Sequence, residues 1–597
     1  MISRPTTKLS LDMQALTKTH SRKKKIMQRP VAKGIEPLFP DLHPVLARVY
    51  AARNITSTES MDYSLSRLES FDTLSGIESA VTLLANAVQS GSRILIVGDF
   101  DADGATSCAV AVRGLRLMGA GTVEYLVPNR FEYGYGLTEE IVSVALTKKP
   151  DVLVTVDNGI SCMEGVAMAK DHGIRVVVTD HHLPGTFLPG ADALVNPNLA
   201  EDRFPSKYLA GVGVIFYVLL ALRSRLRETG WFQDSGMLEP NLAQLLDLVA
   251  LGTVADVVPL DYNNRILVAQ GLSRIRKGSC QAGIKALLTI ARREFHRVVA
   301  GDLAFAVGPR LNAAGRLTDM SLGIECLLTD QEERAFELAA QLDCLNHERQ
   351  NIESTMRSQA LLLLDEMEPM GDTDLPFGFC LYDETWHPGI IGIVASRIKD
   401  HVYRPVIAFA RSGTDELKGS ARSIPGVHIR DTLNAIAVRN PELIVRFGGH
   451  AMAAGLTIGR AELAAFRDAF DTEVRRHLSP DALQRSLYTD GTLDDADFNL
   501  ILAEALRFGG PWGQAFPEPL FDGEFDLLHC RAVGGCHLKL LLGLPSSNQR
   551  IDAIAFNTND EGWPKGTGKV RVVYRLDVNQ FQGRRNLQLV VEYIEPR

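Results

Sequence analysis

The chain has 597 residues, of which 46% are hydrophobic and 23% charged, and its formal net charge is −9. The length predicts three or four domains. The composition is that of a globular protein, which excludes a disordered or collagen-like chain. The longest apolar run, Leu209–Leu222, would span roughly 21 Å as a helix, which is too short for a bilayer core. We therefore expect a buried core helix there and no membrane partner. The negative charge by itself argues against a polyanionic partner.

The cysteines and the N-terminal residues bear on the cellular compartment. The eight cysteines include no C-x-x-C pair and no zinc spacing, which is typical of reduced thiols in a cytoplasmic protein. No apolar segment with signal-peptide character opens the chain. Residues 1–44 are polar and include the basic run Arg22–Lys25. We interpret them as a solvated tail and lead-in, in preference to a nucleic-acid-binding arm.

Three aspartates follow the first strong strand pattern. Residues 93–97 have the pattern of a buried strand, and Asp99, Asp101 and Asp103 alternate directly beyond it. Alternate residues of an extended chain share one face, so three carboxylates converge and need a cation among them. Hard oxygen donors favour Mg²⁺, Mn²⁺ or Ca²⁺. An EF-hand is excluded because Val110 stands where that loop needs glutamate, and because a strand precedes the motif.

Strand and helix patterns alternate between about residues 45 and 260, which predicts a doubly wound α/β domain. The expected strands are Ile94–Val97, Val123–Leu126, Val152–Val156, Val176–Thr179 and Ala193–Val195. Asp157 follows the third strand, and Asp180-His181-His182 follows the fourth. Each has a simpler explanation when taken alone, a helix cap for the aspartate and an ordinary core or surface position for each histidine. Because parallel strands end at one edge of a sheet, together they predict a site for two divalent cations.

Six motifs resemble those of a known family. They are Asp99–Gly104, Asp157–Gly159, Asp180–His182, Gly252–Asp256, Gly308–Arg316 and Phe447–Gly455. The first four resemble the motifs of the DHH phosphoesterase superfamily. The last two are similar to those of the RecJ family, bacterial exonucleases specific for single-stranded DNA. The resemblance runs in order from about residue 45 to the C-terminus.

The resemblance implies a centre that holds two divalent cations, Mn²⁺ or Mg²⁺. Its expected residues are Asp99, Asp101, Asp103, Asp157, His181, His182 and Asp256. Asp99 and Asp101 would serve one cation, and Asp103, with His181 and Asp256, the other. Asp157 would bridge both cations and His182 would lie near the phosphate, so Asp101, Asp157 and His182 are the expected catalytic residues. Such a pair of cations makes hydroxide available at neutral pH, and no serine or cysteine nucleophile is needed.

Five further residues are expected to bind the substrate, namely Arg310, Arg316, Ser420, Arg422 and His450. We expect a turn at Gly308-Pro309 that lets both arginines face a phosphate, with two surface arginines as the simpler alternative. In the DHHA1 domain that the second α/β region resembles, residues matching the other three hold the nucleotide being removed.

Alternating patterns from about residue 485 predict a five-stranded barrel, and an OB-fold is the natural interpretation. The expected strands are Glu524–Leu528, His537–Leu542, Ile551–Phe556, Val570–Leu576 and Leu587–Tyr593. A groove for a single strand is expected from Arg571, Tyr574, Arg575, Phe581, Arg584 and Arg585. Residues 484–597 carry 12 Lys+Arg against 15 Asp+Glu, so any basic groove is local. That the aromatic residues belong to the core is an equal alternative.

The predicted fold class is α/β, with a parallel-sheet DHH domain joined by a long helix to a second α/β domain and followed by a β-barrel. The expected division is 1–44 tail and lead-in, 45–270 DHH domain, 271–370 helical region, 371–478 DHHA1 domain and 479–597 OB-fold domain. The long helix is expected over residues 330–367, as a connector with an apolar stripe.

By resemblance, the expected function is hydrolysis of single-stranded DNA from the 5′ end to mononucleotides, in recombination and repair. The expected partners are single-stranded DNA, a single-strand-binding protein and a helicase, and the expected state is a cytoplasmic monomer. Two other functions remain open, a phosphodiesterase for cyclic dinucleotides or very short oligonucleotides, and a DNA-binding factor without catalysis.

Overall fold

The computed structural model describes residues 24–31, 39, 41–129, 136–367, 376–534, 537–556, 558, 568–581 and 583–597. The chain divides into two compact units. The barrel unit comprises the described residues up to Thr56 together with Pro480–Gly509 and Pro519–Arg597, and the sheet unit comprises Ser57–Ser479 and Gly510–Glu518. The first two elements, strand β1 (Lys25–Gln28) and helix α1 (Pro44–Ala51), belong to the barrel unit.

The sheet unit begins with a parallel sheet of five strands. They are β2 (Arg93–Gly98), β3 (Thr122–Leu126), β4 (Val152–Val156), β5 (Arg175–Thr179) and β6 (Ala193–Val195). Their order across the sheet is β3-β2-β4-β5-β6. The helices around them are α2 (Ile77–Ser90), α3 (Ala102–Leu117), α4 (Glu139–Thr147), α5 (Met163–Asp171) and α6 (Gly211–Glu228). All five expected strands are confirmed. The three central strands, β2, β4 and β5, are buried along almost their whole length, and such strands leave continuous apolar runs in the sequence.

Helix α6 contains most of the apolar run that begins at Leu209, and its first half is buried, as expected. Among the described residues, no helix has both the length and the apolar composition needed to cross a membrane. Seven cysteines lie in the described part and all have free thiols, whereas Cys536 lies outside it.

A helical region follows the first sheet. Its helices are α7 (Trp231–Asp234), α8 (Leu246–Ala255), α9 (Tyr262–Arg276), α10 (Ala282–Ile290), α11 (Ala300–Asp302), α12 (Gly308–Leu317), α13 (Ser321–Leu328) and α14 (Glu332–Met367). A π-helical turn, Leu303–Val307, leads directly into α12. The turn expected at Gly308-Pro309 is therefore wrong, because the helical backbone continues through both residues and a π-helical turn directly precedes the proline.

The long connector helix is confirmed as α14, whose 36 residues span about 54 Å. Its first half packs against α10, α12 and α13, and it also contacts helix α15 (Ile391–Val402) of the next region. Leu338 and Leu342 of the expected apolar stripe are buried.

The second sheet of this unit is mixed. Its strands are β7 (Phe379–Tyr382), β8 (Val406–Ser412), β9 (Glu416–Arg422), β10 (Arg446–Gly449) and β11 (Ala453–Gly459). Their order is β10-β11-β9-β8-β7, and only the β7–β8 pair is parallel. Helix α15 covers one face of β8 through Val394, Ala395 and Ile398, while α17 (Leu463–His477), which packs against α16 (Ile429–Arg439), contacts Phe409 on the other face.

The barrel unit contains a closed barrel of five strands. The remaining elements are β12 (Ser486–Thr489), α18 (Leu500–Phe508), β13 (Phe521–Val533), β14 (His537–Gly543), β15 (Arg550–Ala555), β16 (Gly568–Phe581) and β17 (Arg584–Pro596). The barrel closes in the order β13-β14-β15-β17-β16. All five expected barrel strands are present, and the predicted fold class is confirmed.

The solvated-tail interpretation is wrong for Lys25–Gln28. These residues pair in parallel with Ser486–Thr489, and neighbouring Arg53 forms a buried bidentate ion pair with Asp490, at 2.8 and 3.0 Å. The pattern of a four-residue strand whose partner lies far along the chain is too short to recognise in a polar sequence. Residues 1–23, which include part of the basic run, lie outside the described residues.

Candidate metal centre

Acidic residues meet at the carboxyl edge of the first sheet because strands β2 and β4 end there and helix α3 begins there. Asp99 directly follows β2 and Asp157 directly follows β4. Asp101 is the N-cap of α3, and its carboxylate accepts hydrogen bonds from the Asp103 and Gly104 N–H groups. Asp103 lies in the first turn of the same helix. The capping geometry holds Asp101 and Asp103 beside the strand ends.

The second group of donors surrounds His181. Its Nε2 atom lies 3.1 Å from Asp157 Oδ1, 3.5 Å from Asp256 Oδ2 and 3.9 Å from Asp103 Oδ2. Asp256 reaches the site from the C-terminal end of α8, not from a strand. The structure therefore brings Asp103, Asp157, His181 and Asp256 into one neighbourhood.

Ligand atoms form three overlapping groups within 4.8 Å. One group is Asp99, Asp101 and Asp157, a second is Asp103, His181 and Asp256, and a third is Asp157, His181 and His182. Asp157 belongs to two of these groups. Oxygen donors with one imidazole suit Mg²⁺ or Mn²⁺, and the imidazole favours Mn²⁺. The residues present therefore fit two divalent cations.

Crowded buried carboxylates shift their own proton affinities. Burial and the Asp101 carboxylate raise the pKa of Asp103 to about 7. Burial and the Asp103 carboxylate raise the pKa values of Asp157 and Asp256 well above the usual range. Burial, with His182 nearby, lowers the pKa of His181 to about 4, so its imidazole is neutral and can act as a ligand. Without a bound cation, the protein does not neutralise the charge that these carboxylates carry when they are ionised.

The backbone of α6 holds Asp103 in place. The Gly211 and Val212 N–H groups, at the start of α6, donate to its two carboxylate oxygens at 2.6 and 3.0 Å. A Cβ atom at Gly211 would lie 2.5 Å from Asp157 Cβ, so only glycine allows the helix to approach both carboxylates. The positive end of the helix also offsets part of their charge.

Asp180 anchors the histidine pair. Its buried carboxylate accepts hydrogen bonds from the N–H groups of Ile160, His181 and His182, and His182 Nδ1 lies 2.7 Å away. Burial acts to lower the pKa of His182, but the hydrogen bond and charge of Asp180, together with the Asp256 and Asp99 carboxylates, outweigh it and raise the pKa to about 9. The His182 ring also stacks on His450, with centroids 6.1 Å apart. The second sheet thus reaches the metal centre through His450.

Helix α12 supports the loop between β2 and α3, which the sequence did not reveal. Asn312 Oδ1 accepts the Ala102 N–H at 2.9 Å. A Cβ atom at Gly315 would lie 1.7 Å from the Phe100 carbonyl oxygen, so the helix backbone touches the loop. Asparagine and glycine within a helix are the only sequence signal for this contact.

The two expected phosphate-binding arginines have different surroundings. Arg310 forms an ion pair with Asp343 of α14 at 2.8 Å and donates to the Ala306 carbonyl. Arg316 donates to the Gly389 carbonyl at 3.4 Å, ahead of α15. The structure therefore links Arg310 to the connector helix and Arg316 to the region that carries the second sheet.

Ser420 and Arg422 lie on one face of β9, where the Arg422 guanidinium donates to Ser420 Oγ at 3.0 Å. A Cβ atom at Gly392, in the first turn of α15, would lie within 3 Å of both side chains. The three residues form a cradle at a helix N-terminus, the arrangement that receives an anion. Gly392 was not among the residues expected to bind the substrate.

A bare patch of backbone adjoins this cradle. Gly455 lies directly opposite Ser420, and Gly448 lies directly opposite Gly455. Both glycines are exposed, neither has positive φ, and a Cβ atom would meet nothing within 4 Å. Neither the backbone conformation nor the packing of the protein therefore requires glycine at these positions.

The expected groove on the barrel is partly wrong. Tyr574 is 1% exposed and packs among Phe498, Phe521 and Phe525, so it belongs to the core and cannot stack on a base. Arg571 pairs with Asp522, Arg575 with Glu592 and Arg585 with Glu504. Arg584 is exposed at the start of β17, and the Phe581 side chain lies outside the described part.

Three family models match the chain. The model of the DHH family, N-terminal domain, matches residues 93–253, the DHHA1 domain matches 376–476 and the RecJ OB domain matches 489–593. These matches, together with the parallel sheet and its edge of carboxylates, define a metal-dependent hydrolase of the DHH class.

Known proteins narrow this class. The chain is 51% identical over 571 residues to the single-stranded-DNA-specific exonuclease RecJ of Salmonella typhimurium, covering 96% of this chain and 99% of that protein. It is 51% identical over 557 residues to the same enzyme of Escherichia coli, covering 93% and 96%. The chain belongs to the RecJ family.

A solved structure agrees with this placement. The crystal structure of RecJ in complex with Mn²⁺ from Thermus thermophilus matches 96% of this chain and 79% of that chain, with a TM-score of 0.77 and 29% identity. The corresponding Mg²⁺ complex matches 96% and 78%, with a TM-score of 0.72 and 28% identity.

Proposed function

We propose that this chain hydrolyses single-stranded DNA from its 5′ end and releases mononucleotides, using two divalent cations, Mn²⁺ or Mg²⁺. The observation that carries the proposal is the convergence of Asp99, Asp157, His181 and Asp256 at one edge of the first sheet. The substrate follows from relatives that are named single-stranded-DNA-specific exonucleases and are 51% identical.

The residues divide the chemical work. When bound, two divalent cations would lower the pKa of a water molecule and offset charge on the phosphoryl oxygens. Asp99 and Asp101 would hold one cation, Asp103, His181 and Asp256 the other, and Asp157 would bridge them. His182, whose protonated form Asp180 stabilises, would donate a hydrogen bond to a phosphoryl oxygen as negative charge develops.

We assign the terminal nucleotide to the cradle of Ser420, Arg422 and Gly392, with His450 between the cradle and the metal centre. The guanidinium and the α15 N-terminus complement a phosphate, while the open surface over Gly448 and Gly455 leaves room for a sugar or base. Arg316 would bind a substrate phosphate from its place beside the segment around Gly389. Arg310 would do so from helix α12.

The activity is tested with long single-stranded DNA labelled at the 5′ end, in the presence of Mn²⁺ or Mg²⁺. Release of labelled mononucleotides from the start of the reaction is the expected result, and chelation of the metal abolishes it. Cleavage of dinucleotides alone would assign the chain to small-molecule phosphodiesterases. Binding without cleavage would make it a DNA-binding factor.

The terminal-nucleotide assignment is tested by Gly448→Ala and Gly455→Ala. Each adds a methyl group over open surface, so thermal stability should stay equal or rise. We expect KM for an oligodeoxynucleotide to rise by about tenfold, because the methyl group occupies the nucleotide's space. Gly190→Ala is the control, since its Cβ also meets nothing within 4 Å. Unchanged KM in both variants would refute the assignment.

The remaining predictions complete the proposal. We propose a DHH domain over residues 45–270, a DHHA1 domain over 371–478 and an OB-fold domain over 479–597, with helix α1 packed in the barrel unit and Gly510–Glu518 in the sheet unit. We also propose a cytoplasmic monomer that acts in recombination and repair with a helicase and a single-strand-binding protein. Size measurement in solution tests the monomeric state. Pull-down in the presence of single-stranded DNA tests the binding of the helicase and the single-strand-binding protein.

A further inference from the structure

Val257 has an unusual backbone conformation directly beside the metal centre. It follows Asp256, and its φ of 61° lies in the left-handed region. Helix α8 ends at Ala255 and Asp256 is its C-cap, so Val257 occupies the first position beyond the cap. Left-handed residues at this position are common, but they are usually glycine.

Other helices of this chain follow that preference. Glycine with positive φ stands at the corresponding position after five helices, at Gly119, Gly173, Gly230, Gly236 and Gly278. Two further helices, α4 and α10, have the unbranched residues Lys149 and Arg292 there. Of the positive-φ residues in the described part, Val257 alone is β-branched.

The fold gains little from valine at this position. A β-branched side chain in left-handed backbone crowds its own carbonyl group, which destabilises the conformation. Burial does not compensate for this, because Val257 remains 61% exposed. Glycine would relieve the crowding and lose few contacts, so the stability of the fold does not account for valine at this position.

The neighbourhood indicates what the side chain meets. The Asp256 carboxylate lies 3.5 Å from His181 Nε2, which places Val257 at the rim of the metal centre. The π-helical turn that packs against α8 carries Phe305, which is 85% exposed. π-helical turns often occur at functional sites. The rim therefore presents the apolar side chain of Val257 directly beside a centre made of carboxylates and imidazoles.

We propose that Val257 contacts the substrate, with its isopropyl group packed against the deoxyribose and base of the nucleotide whose phosphodiester lies at the metal centre. This inference rests on the proposed nuclease function. An isopropyl group offers no partner to a phosphate oxygen, so its contact is with the apolar part of the nucleotide. It positions the nucleoside while the cations and cationic side chains bind the phosphates.

The test compares Val257→Gly with wild type and with Lys149→Gly, a matched change beyond α4. Lys149 precedes β4, whereas the metal ligand Asp157 follows the opposite end of that strand. Both variants relieve left-handed strain, so the Tm of both should rise. We expect Val257→Gly alone to raise KM for an oligodeoxynucleotide, by about tenfold, as loss of an apolar contact does. Mn²⁺ affinity, measured by calorimetry, should stay unchanged.

Two further variants and a salt series separate contact from positioning. Val257→Asn suits left-handed backbone but is polar, and should raise KM as glycine does, whereas Val257→Ile should retain the wild-type KM. Lost phosphate contacts would reduce the salt dependence of KM, and lost apolar contact leaves it unchanged. Unchanged KM in Val257→Gly, or loss of Mn²⁺ affinity in parallel with KM, overturns the inference. Absence of nuclease activity in wild type would instead refute the proposed function.

Discussion

Asp157 shows how much of this site depends on one side chain. It is 2% exposed, belongs to two of the three groups of candidate ligand residues and has a φ of 62°. Burial and the neighbouring carboxylates raise its pKa, which means that its charged form is unfavourable until a cation arrives. The residue therefore opposes folding of the metal-free protein and supports binding of metal.

We predict opposite effects of Asp157→Asn on stability and on activity. Asparagine tolerates left-handed backbone and removes one of the repelling charges, so the metal-free protein should have a higher Tm. Hydrolysis should be abolished, and the rise in Tm that Mn²⁺ causes in wild type should largely disappear. Scanning calorimetry with and without Mn²⁺, and a nuclease assay, measure both effects. A lower Tm without metal would contradict this account.

Individual residues were predictable where a strand placed them. Asp99, Asp157 and His181 follow buried parallel strands, and that topology alone brings their positions to one edge. Asp256 ends a helix and Asn312 lies inside one, so no periodicity links either residue to the sheet. The prediction that Tyr574 lines a groove for single-stranded DNA was wrong for a different reason. Alternation shows that a strand has two faces, but it does not show which face the barrel encloses.

Helix α12 is the element on which the shape of the aspartate loop depends. Asn312 holds the start of α3, and the backbone at Gly315 touches the Phe100 carbonyl group. Helix α12 thus acts on the metal centre through the loop between β2 and α3. The sequence motif that contains two arginines also encodes this packing.

We predict that Gly315→Ala weakens metal binding. The added Cβ would lie 1.7 Å from a backbone oxygen, which cannot move as a flexible side chain can, so helix and loop must separate. Mn²⁺ affinity should fall by about tenfold or more, and stability by about 1–3 kcal/mol. Gly301→Ala is the control, because its nearest neighbour would lie 3.9 Å away. Equal Mn²⁺ affinity in the two variants would show that this contact does not shape the loop.

At the scale of the whole molecule, the two units provide separate contributions to stability. In the barrel unit, Arg53 and Asp490 form a buried ion pair between residues 437 positions apart. The metal centre lies entirely in the sheet unit. Because each unit has its own core, each should unfold in its own transition.

We therefore predict that Mn²⁺ and Arg53→Met act on different transitions. Mn²⁺ should raise only the transition of the sheet unit. Arg53→Met leaves the Asp490 carboxylate buried and uncompensated, which should destabilise the barrel unit by about 3–5 kcal/mol. Calorimetry resolves the two unfolding transitions. Arg67→Met, which breaks an exposed ion pair with Asp62, is the control. A single transition moved by both changes would contradict the prediction.

The pairing of Lys25–Gln28 with Ser486–Thr489 sets a schedule for biosynthesis. Ribosomes add about 5–20 residues per second, so Arg53 waits roughly 20 to 90 seconds before its partner Asp490 is made. During that interval residues 57–479 of the sheet unit can fold, whereas Lys25–Gln28 has no strand to join. Lys25–Gln28 is thus translated long before it can reach its final structure, and chaperones have access to it throughout that interval.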